Sequence, residues 1–259
     1  MSHNKAINLY LVGALGQIIL VCLLVFVLRR SGVAVDYTTP LGMLAIAVGG
    51  ISSALWGAVV SIKYKKIKLT QILRDFFNVA QKPRSYLLAF LFLFLDFFSL
   101  LFGGGLNISI WYAPVILFFR ALLFGGIEEI GWRYFFQPAL QERWDFVLAT
   151  LCTFVSWAIW HFAYFYVEGT MDVVDPIPFL IGLLINCFIL SSIFNVTGSL
   201  WLCAMTHALI NVFSQLAVGG NAYVSYGCRV LIIVIAIVLV KRNWNNTSLK
   251  RSKSNVVSN

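Results

Sequence analysis

Residues 7–28 read INLYLVGALGQIILVCLLVFVL and contain no charged side chain. A helix of about 20 apolar residues crosses the hydrocarbon core of a bilayer. Arg29 and Arg30 follow directly, and no small-residue cleavage site precedes them. The segment is therefore predicted to be a retained membrane helix and not a signal peptide that is removed.

The composition extends this prediction to the whole chain. Of the 259 residues, 60% are hydrophobic and only 11% are charged, whereas a soluble domain has roughly 25% charged residues. Soluble, disordered and collagen-like classes are excluded. The alternating pattern of an outer-membrane barrel is absent. Because lipid offers no partner for open backbone groups, the expected fold is all-α, a polytopic membrane helix bundle.

Apolar runs of at least ~17 residues predict about eight transmembrane helices. They lie at about 7–28, 41–62, 86–102, 111–140, 146–166, 177–194, 198–217 and 222–240. The bundle would occupy residues 1–240, and residues 241–259 would form a polar, disordered cytoplasmic tail. The five cysteines lie in apolar stretches without paired spacing, so neither a disulfide framework nor a thiolate metal site is predicted.

Loop charges predict the orientation. The segment 63–84 holds seven bases and one acid, and the tail holds five more bases. With Lys5 and Arg143, one side of the eight-helix plan carries 14 bases, against only Arg29 and Arg30 on the other. Both termini should then be cytoplasmic, in what we expect to be a bacterial plasma membrane. The net charge of +9 is explained by this asymmetry, and no nucleic-acid partner is predicted.

Six charged residues fall inside the predicted spans, where each costs ~2.5–3.5 kcal/mol on insertion scales. They are Asp96, Arg120, Glu128, Glu129, Arg133 and Arg229. For Asp96, Arg120 and Arg229 we expect mutual neutralisation inside the bundle. The other three are bunched in GGIEEIGWR, residues 125–133, which is harder to explain by packing.

Helix geometry separates the roles of the bunched residues. Residues four apart share a helix face, so Glu129 and Arg133 should form an ion pair. Glu128 points about 100° away, above Trp132. An unpaired carboxyl group in an apolar site has a raised proton affinity and can act as a general base.

Two histidines lie deep in predicted spans. His161 ends the stretch SWAIWH, and His207 is followed one turn later by Asn211. A lone intramembrane histidine is more often an interhelical hydrogen-bonding residue. Together with Glu128 near the same predicted depth, however, these residues supply a base, two imidazoles and an amide donor. That set fits peptide hydrolysis, which needs an activated water and donors for the oxyanion.

These motifs resemble those of the CAAX-protease and bacteriocin-processing (CPBP, or Abi) intramembrane endopeptidases. The resemblance rests on EEIGWR at 128–133, an aromatic residue four positions before His161, and His207-x-x-x-Asn211. The aromatic is Trp157 here, where the family often has Phe at the same wall. The family's eight-helix plan agrees with the predicted spans, and a family-like core would lie at about 111–217.

The resemblance implies a role for each residue. Glu128 with His161 would activate the water, and His207 with Asn211 would stabilise the oxyanion. The site would be supported by Glu129, Arg133 and Trp157. The substrate would be a membrane-associated or prenylated (CAAX-like) protein or peptide.

The family has also been interpreted as zinc-dependent, with Glu128, His161 and His207 as ligands. One carboxylate and two imidazoles are adequate Zn²⁺ ligands, so the sequence leaves this alternative open. We favour a metal-free site, because a zinc-bound Glu128 would leave no obvious other base.

Two functions other than peptide hydrolysis are also compatible with these residues. A proton-coupled transporter also uses intramembrane Glu and His, but it predicts inverted repeats, and none is visible in the sequence. A non-catalytic bacteriocin-immunity or binding protein could keep the same fold. The presence of all four polar site residues argues against simple loss of catalysis.

The orientation is testable by labelling. In a cysteine-free background, we expect Asp172→Cys to react with a membrane-impermeant maleimide from outside intact cells. Lys66→Cys should react only after the cells are opened, because its loop is basic and cytoplasmic. Labelling of position 172 from the cytoplasmic face alone would overturn the topology.

Overall fold

The computed structural model describes the backbone of residues 3–257 and the side chains of residues 4–243. The α-helices are α1 (His3–Arg30), α2 (Pro40–Gly50), α3 (Ser52–Tyr64), α4 (Leu69–Phe76), α5 (Pro83–Phe97), α6 (Ala113–Phe124), α7 (Glu129–Gly131), α8 (Gln137–Gln141), α9 (Phe146–Glu168), α10 (Pro176–Thr197), α11 (Leu200–Leu216) and α12 (Ala222–Val257). Between them lie two 3₁₀ segments, Phe98–Leu101 and Gly126–Glu128, and a π-helical turn, Trp132–Phe136.

The predicted all-α membrane bundle is confirmed, and the chain is an integral membrane protein. Within the described residues, six helical stretches are long and apolar enough to cross a bilayer. They are Asn4–Arg30, Pro40–Tyr64, Pro83–Leu101, Phe146–Glu168, Pro176–Thr197 and Ala222–Asn243. α11 is apolar but shorter, with 17 residues.

The remaining predicted span, 111–140, is wrong as a single continuous helix. It begins as α6 and is then divided into a 3₁₀ turn, α7, the π-helical turn and α8. The division starts at Gly125 and Gly126, because two successive glycines lower the cost of leaving α-helical geometry. Turns of 3₁₀ and π type inside a helix often occur at functional sites, and this one carries the glutamates.

Two features were not predicted. The basic loop 63–84 contains the short helix α4, which buries Ile72 and Phe76. A two-stranded antiparallel ribbon pairs β1 (Gly104–Leu106) with β2 (Ala217–Gly219). The ribbon joins the chain after α5 to the end of α11, where the amide of Asn107 also donates to the carbonyl of Leu216 at 2.8 Å.

Capping side chains set where the histidine-bearing helices begin. Asp145 accepts from the amide of Leu148 at the start of α9, and Ser199 accepts from the amide of Leu202 at the start of α11. α9 ends at Gly169, whose φ of 84° lies in the left-handed region that glycine tolerates. The caps fix how far along each helix His161 and His207 lie.

Glycine residues let the segment that carries the two glutamates, residues 125–133, pack closely against α3. A Cβ atom on Gly57 would lie 2.5 Å from Cα of Gly131, so only a glycine lets the two backbones approach this closely. Beside this contact the hydroxyls of Tyr10 and Ser53 are 3.0 Å apart, and Ser53 Oγ donates to the carbonyl of Glu128 at 3.3 Å. α1 and α3 therefore form the platform on which the segment rests.

α12 continues without a break into the predicted tail, residues 241–259, as far as Val257. Side chains beyond Asn243 lie outside the described residues. The predicted disorder of the tail stays a prediction, and its last two residues, 258 and 259, lie outside the described backbone.

The glycine contact is testable by adding one methyl group. We expect Gly57→Ala to lower the free energy of unfolding by about 1–3 kcal/mol, because the new Cβ overlaps backbone atoms that cannot turn away. The measurement is thermal unfolding in detergent. Gly16→Ala in α1 is the matched control, since nothing lies within 4 Å of its Cβ position. Equal melting temperatures for the two variants would refute the close approach.

Candidate active site

A cavity of about 610 Å³ lies among α6, α9, α10, α11 and α12. Its wall includes all four residues predicted to be catalytic, which are Glu128, His161, His207 and Asn211. Positions separated by 83 residues of sequence are thus brought to one chamber. Glu129 and Arg133 lie behind this wall and have no exposed surface.

Glu128 is held by two tryptophans. Its side chain is 3% exposed, and Oε2 accepts from Nε1 of Trp157 at 2.7 Å and from Nε1 of Trp132 at 3.3 Å. The position above Trp132 was predicted from helix geometry. The second indole comes from α9 and was not predicted as a donor. Both bonds fall on one oxygen, so they orient the carboxylate without occupying Oε1.

Glu129 is the acceptor for two buried groups. Its Oε1 lies 3.3 Å from Nη1 of Arg133, which is the predicted ion pair, and 2.8 Å from Nδ1 of His207. Sequence reasoning missed the second contact, because nothing in the spacing brings α11 to this residue. A carboxylate bonded to one ring nitrogen fixes the orientation of the imidazole and leaves the other nitrogen for chemistry.

Arg133 is enclosed on its other sides. Its guanidinium carbon lies 4.3 Å from the ring centroid of Trp157, a distance typical of a cation–π interaction. Nη2 donates to Sγ of Cys187 at 3.4 Å. Cys187 is a free, buried cysteine, as expected where no disulfide or thiolate metal site was predicted, and the structure adds this contact.

Gly125 lets His207 and Asn211 converge. A Cβ atom at this position would lie 2.6 Å from Nδ2 of Asn211 and 3.1 Å from Nε2 of His207. Two nitrogen atoms therefore face the same point beside the glycine backbone. The glycine pair was visible in the sequence, but its role depends on where α11 packs.

His161 lies in an aromatic enclosure. Its ring centroid is 5.1 Å from that of Trp160, 5.7 Å from Phe165 and 5.2 Å from Phe179. Trp160 in turn donates to Oγ of Ser52 at 2.8 Å, which ties this part of α9 to α3. Nδ1 of His161 is buried and has no hydrogen-bond partner among the described protein groups, while the residue as a whole lines the cavity.

The zinc alternative, with Glu128, His161 and His207 as ligands, stays a prediction. Among the described side chains, no group of three or more His, Cys, Asp or Glu is arranged to hold a metal ion. Glu128, His161 and His207 share the cavity but do not form such a group. His207 is directed by its bond to Glu129, and Glu128 by its two indole donors.

Two arginines also line the cavity. Arg120 and Arg229 were predicted to be neutralised within the bundle together with Asp96. In the described part of the chain, neither arginine has a carboxylate within ion-pair distance of 4.0 Å, while both are part of the cavity wall. The prediction of mutual neutralisation is wrong for Arg120, whereas Arg229 interacts electrostatically with Asp96.

Comparison with known proteins shows what the segment that carries this site is similar to. A family model described as type II CAAX prenyl endopeptidase Rce1-like matches residues 109–213. A curated relative, "CAAX prenyl protease 2" of Methanococcus maripaludis, is 33% identical over 69 residues. That match covers 27% of this chain and 25% of the archaeal protein.

The matched segment contains every residue on which the resemblance was based. The predicted resemblance to the CPBP intramembrane endopeptidases is confirmed. The chain matches about a quarter of the relative's length, so the role of each residue has to be argued from the geometry.

The buried pair behind the cavity can be tested by removing one partner. We expect Arg133→Ala to lower the free energy of unfolding by about 3–5 kcal/mol, because it leaves the Glu129 carboxylate beside only one donor in an apolar interior. Thermal unfolding in detergent measures the change. Arg84→Ala, at an exposed arginine of α5, is the control and should have no effect. Unchanged stability of Arg133→Ala would show that the pair does not hold the segment.

Proposed function

We propose that this protein is an intramembrane endopeptidase of the CAAX-protease type, acting on a peptide bond of a membrane-associated or prenylated protein or peptide. The observation that carries the proposal is that Glu128, His161, His207 and Asn211 line one cavity within the segment that matches the endopeptidase family. A base, two imidazoles and an amide are the groups that hydrolysis of a peptide bond requires.

In the proposed reaction, Glu128 is the general base. Its carboxylate takes a proton from a water in the cavity while the water oxygen attacks the scissile carbonyl carbon. The indoles of Trp157 and Trp132 hold Oε2, so the carboxylate cannot rotate away. His161, which lines the same cavity, assists in placing the water. Protonated Glu128 then donates to the leaving nitrogen as the C–N bond breaks.

His207 and Asn211 are the proposed oxyanion donors. Glu129 accepts from Nδ1 of His207, which fixes the ring so that Nε2 faces Gly125. Nε2 and Nδ2 of Asn211 face the same point beside Gly125. Donors that are fixed before the reaction stabilise the developing negative charge without reorganisation.

The proposed mechanism is metal-free. The support is that two of the three candidate ligands, Glu128 and His207, are already directed by hydrogen bonds to other side chains, and that the described side chains contain no ligand cluster. No step of the reaction as written needs a Lewis acid, because Glu128 supplies the base and His207 with Asn211 supply the charge stabilisation.

The proposed setting is a bacterial plasma membrane with both termini cytoplasmic, on the strength of the basic segment 63–84. The substrate class rests on the family match, since "CAAX prenyl protease 2" is the printed name of the relative. A lipid-linked substrate reaches the cavity by diffusion within the bilayer.

Kinetics of two variants test the mechanism. In proteoliposomes with a panel of lipidated, fluorescence-quenched peptides, we expect Glu128→Gln to abolish cleavage, because an amide keeps the shape but accepts no proton from water. Asn211→Ala should lower kcat by about 10²–10³ with little change in KM, since an oxyanion contact forms mainly in the transition state.

Asn186→Ala is the matched control, because Asn186 lines the same cavity without lying against Gly125. It should retain activity within a few-fold. Chelators should leave the wild type active. Near-normal turnover by Glu128→Gln would refute the assignment of the base, and one zinc per chain that tracks with activity would refute the metal-free mechanism.

A further inference from the structure

The short helix α4 lies at the level where two membrane spans end. One apolar stretch ends at Tyr64, and the next begins at Pro83. α4 lies between them and has eight residues, too few to cross a bilayer. Both spans therefore end on the same side of the bundle, and α4 lies beside their ends, next to the bilayer surface.

The apolar face of α4 is wider than the part that the protein covers. On a helical wheel, an apolar sector roughly 140° wide is formed by Leu69, Ile72, Leu73, Phe76 and Phe77. Ile72 and Phe76 are buried against the bundle. Leu69, Leu73 and Phe77, here called the outer face of α4, are 52%, 47% and 62% exposed. An amphipathic helix with such a face lies in the interface plane of a membrane.

The charge beside the outer face is positive. The segment 63–84 holds seven bases and one acid. Three exposed bases, here called the basic rim, precede the helix or lie on it: Lys66, Lys68 and Arg74. The acid, Asp75, is directed inward, because its carboxylate accepts from the hydroxyl of Tyr134 at 2.8 Å and from the amide of Gln71 at 2.7 Å. The acid is thus already bonded, whereas the rim is exposed.

Contacts behind α4 keep the outer face turned outward. Tyr134 belongs to the π-helical turn. Its carbonyl accepts from Nζ of Lys65 at 3.0 Å, while its hydroxyl donates to Asp75. Glu142 also interacts electrostatically with Lys65. Because one residue of the bundle bonds to positions on both sides of Leu69, α4 is held in a fixed orientation.

We propose that the outer face of α4 and its basic rim bind the anionic phospholipids of the leaflet that they face. The apolar side chains enter the boundary between headgroups and acyl chains, and the bases bind lipid phosphate. The inference goes beyond the proposed peptidase function and does not depend on it.

An acidic segment of a partner protein would also complement the rim. Anionic lipid is the better occupant, because the outer face lies where two spans end and is therefore next to acyl chains. A lipid leaflet offers an apolar layer directly beneath a negative surface, which corresponds to the arrangement of the outer face beside the rim.

The experiment measures which lipid lies against α4. In a cysteine-free background, a fluorophore is attached at Leu73→Cys, and the protein is placed in phosphatidylcholine nanodiscs with phosphatidylglycerol as the minor lipid. Either lipid carries brominated, quenching acyl chains. Per mole, we expect brominated phosphatidylglycerol to quench at least about fivefold more strongly, since each base near an anionic surface contributes roughly that factor. A probe at Leu20→Cys, 67% exposed in the uncharged stretch of α1, should show no preference.

Charge variants show whether the rim causes the preference. The triple variant Lys66→Gln, Lys68→Gln, Arg74→Gln should lose it. The matched variant Lys66→Arg, Lys68→Arg, Arg74→Lys keeps all three charges and should retain it. In the wild type, added salt should weaken the preference, because exposed charges are screened. Thermal unfolding in pure phosphatidylcholine nanodiscs should be the same for both variants, since the three side chains are exposed.

Equal quenching of the Leu73 probe by the two lipids would overturn the proposal, as would a preference that survives the glutamine variant. Quenching by neither lipid would show that protein or water covers the outer face, and the proposal would again be wrong. The measurement uses no substrate, so its outcome is independent of whether the chain cleaves peptides.

Discussion

A carboxylate buried among membrane helices needs hydrogen-bond donors, and Glu129 has two. Its Oε1 lies 3.3 Å from Nη1 of Arg133 and 2.8 Å from Nδ1 of His207. Because an unpaired charge in this environment costs several kcal/mol, the contact holds α7 against α11. It also directs Nε2 of His207 to Gly125. The supporting residue and the candidate catalytic residue are therefore parts of one network.

The break in the fourth predicted span follows from the same network. A continuous α-helix would place Glu128 and Glu129 about 100° apart but would not bring its backbone close to both α3 and α11. The close approaches occur at the residues that directly precede the 3₁₀ turn at Gly126–Glu128 and the π-helical turn at Trp132–Phe136. Gly131 permits the first, against Gly57, and Gly125 permits the second, against Asn211. The site thus depends on small residues as much as on polar ones.

The cavity has a deep end and an open end with different chemistry. At the deep end lie the groups proposed for catalysis, held by tryptophan donors and the buried pair. At the open end, Arg120 and Arg229 have no carboxylate partner among the described residues within 4.0 Å.

Composition and periodicity determined the all-α membrane class. The low charge content and the length of the apolar runs follow directly from the need to be stable in a lipid bilayer, without reference to any tertiary contact. Spacing along one helix also predicted the Glu129–Arg133 pair and the place of Glu128 above Trp132. The sequence did not predict which side chains of different helices contact each other. The bond from Trp157 to Glu128, the bond between Glu129 and His207, and the place of Arg120 and Arg229 in the cavity wall were decided by tertiary packing. All three depend on rotations and distances between helices that no local pattern encodes.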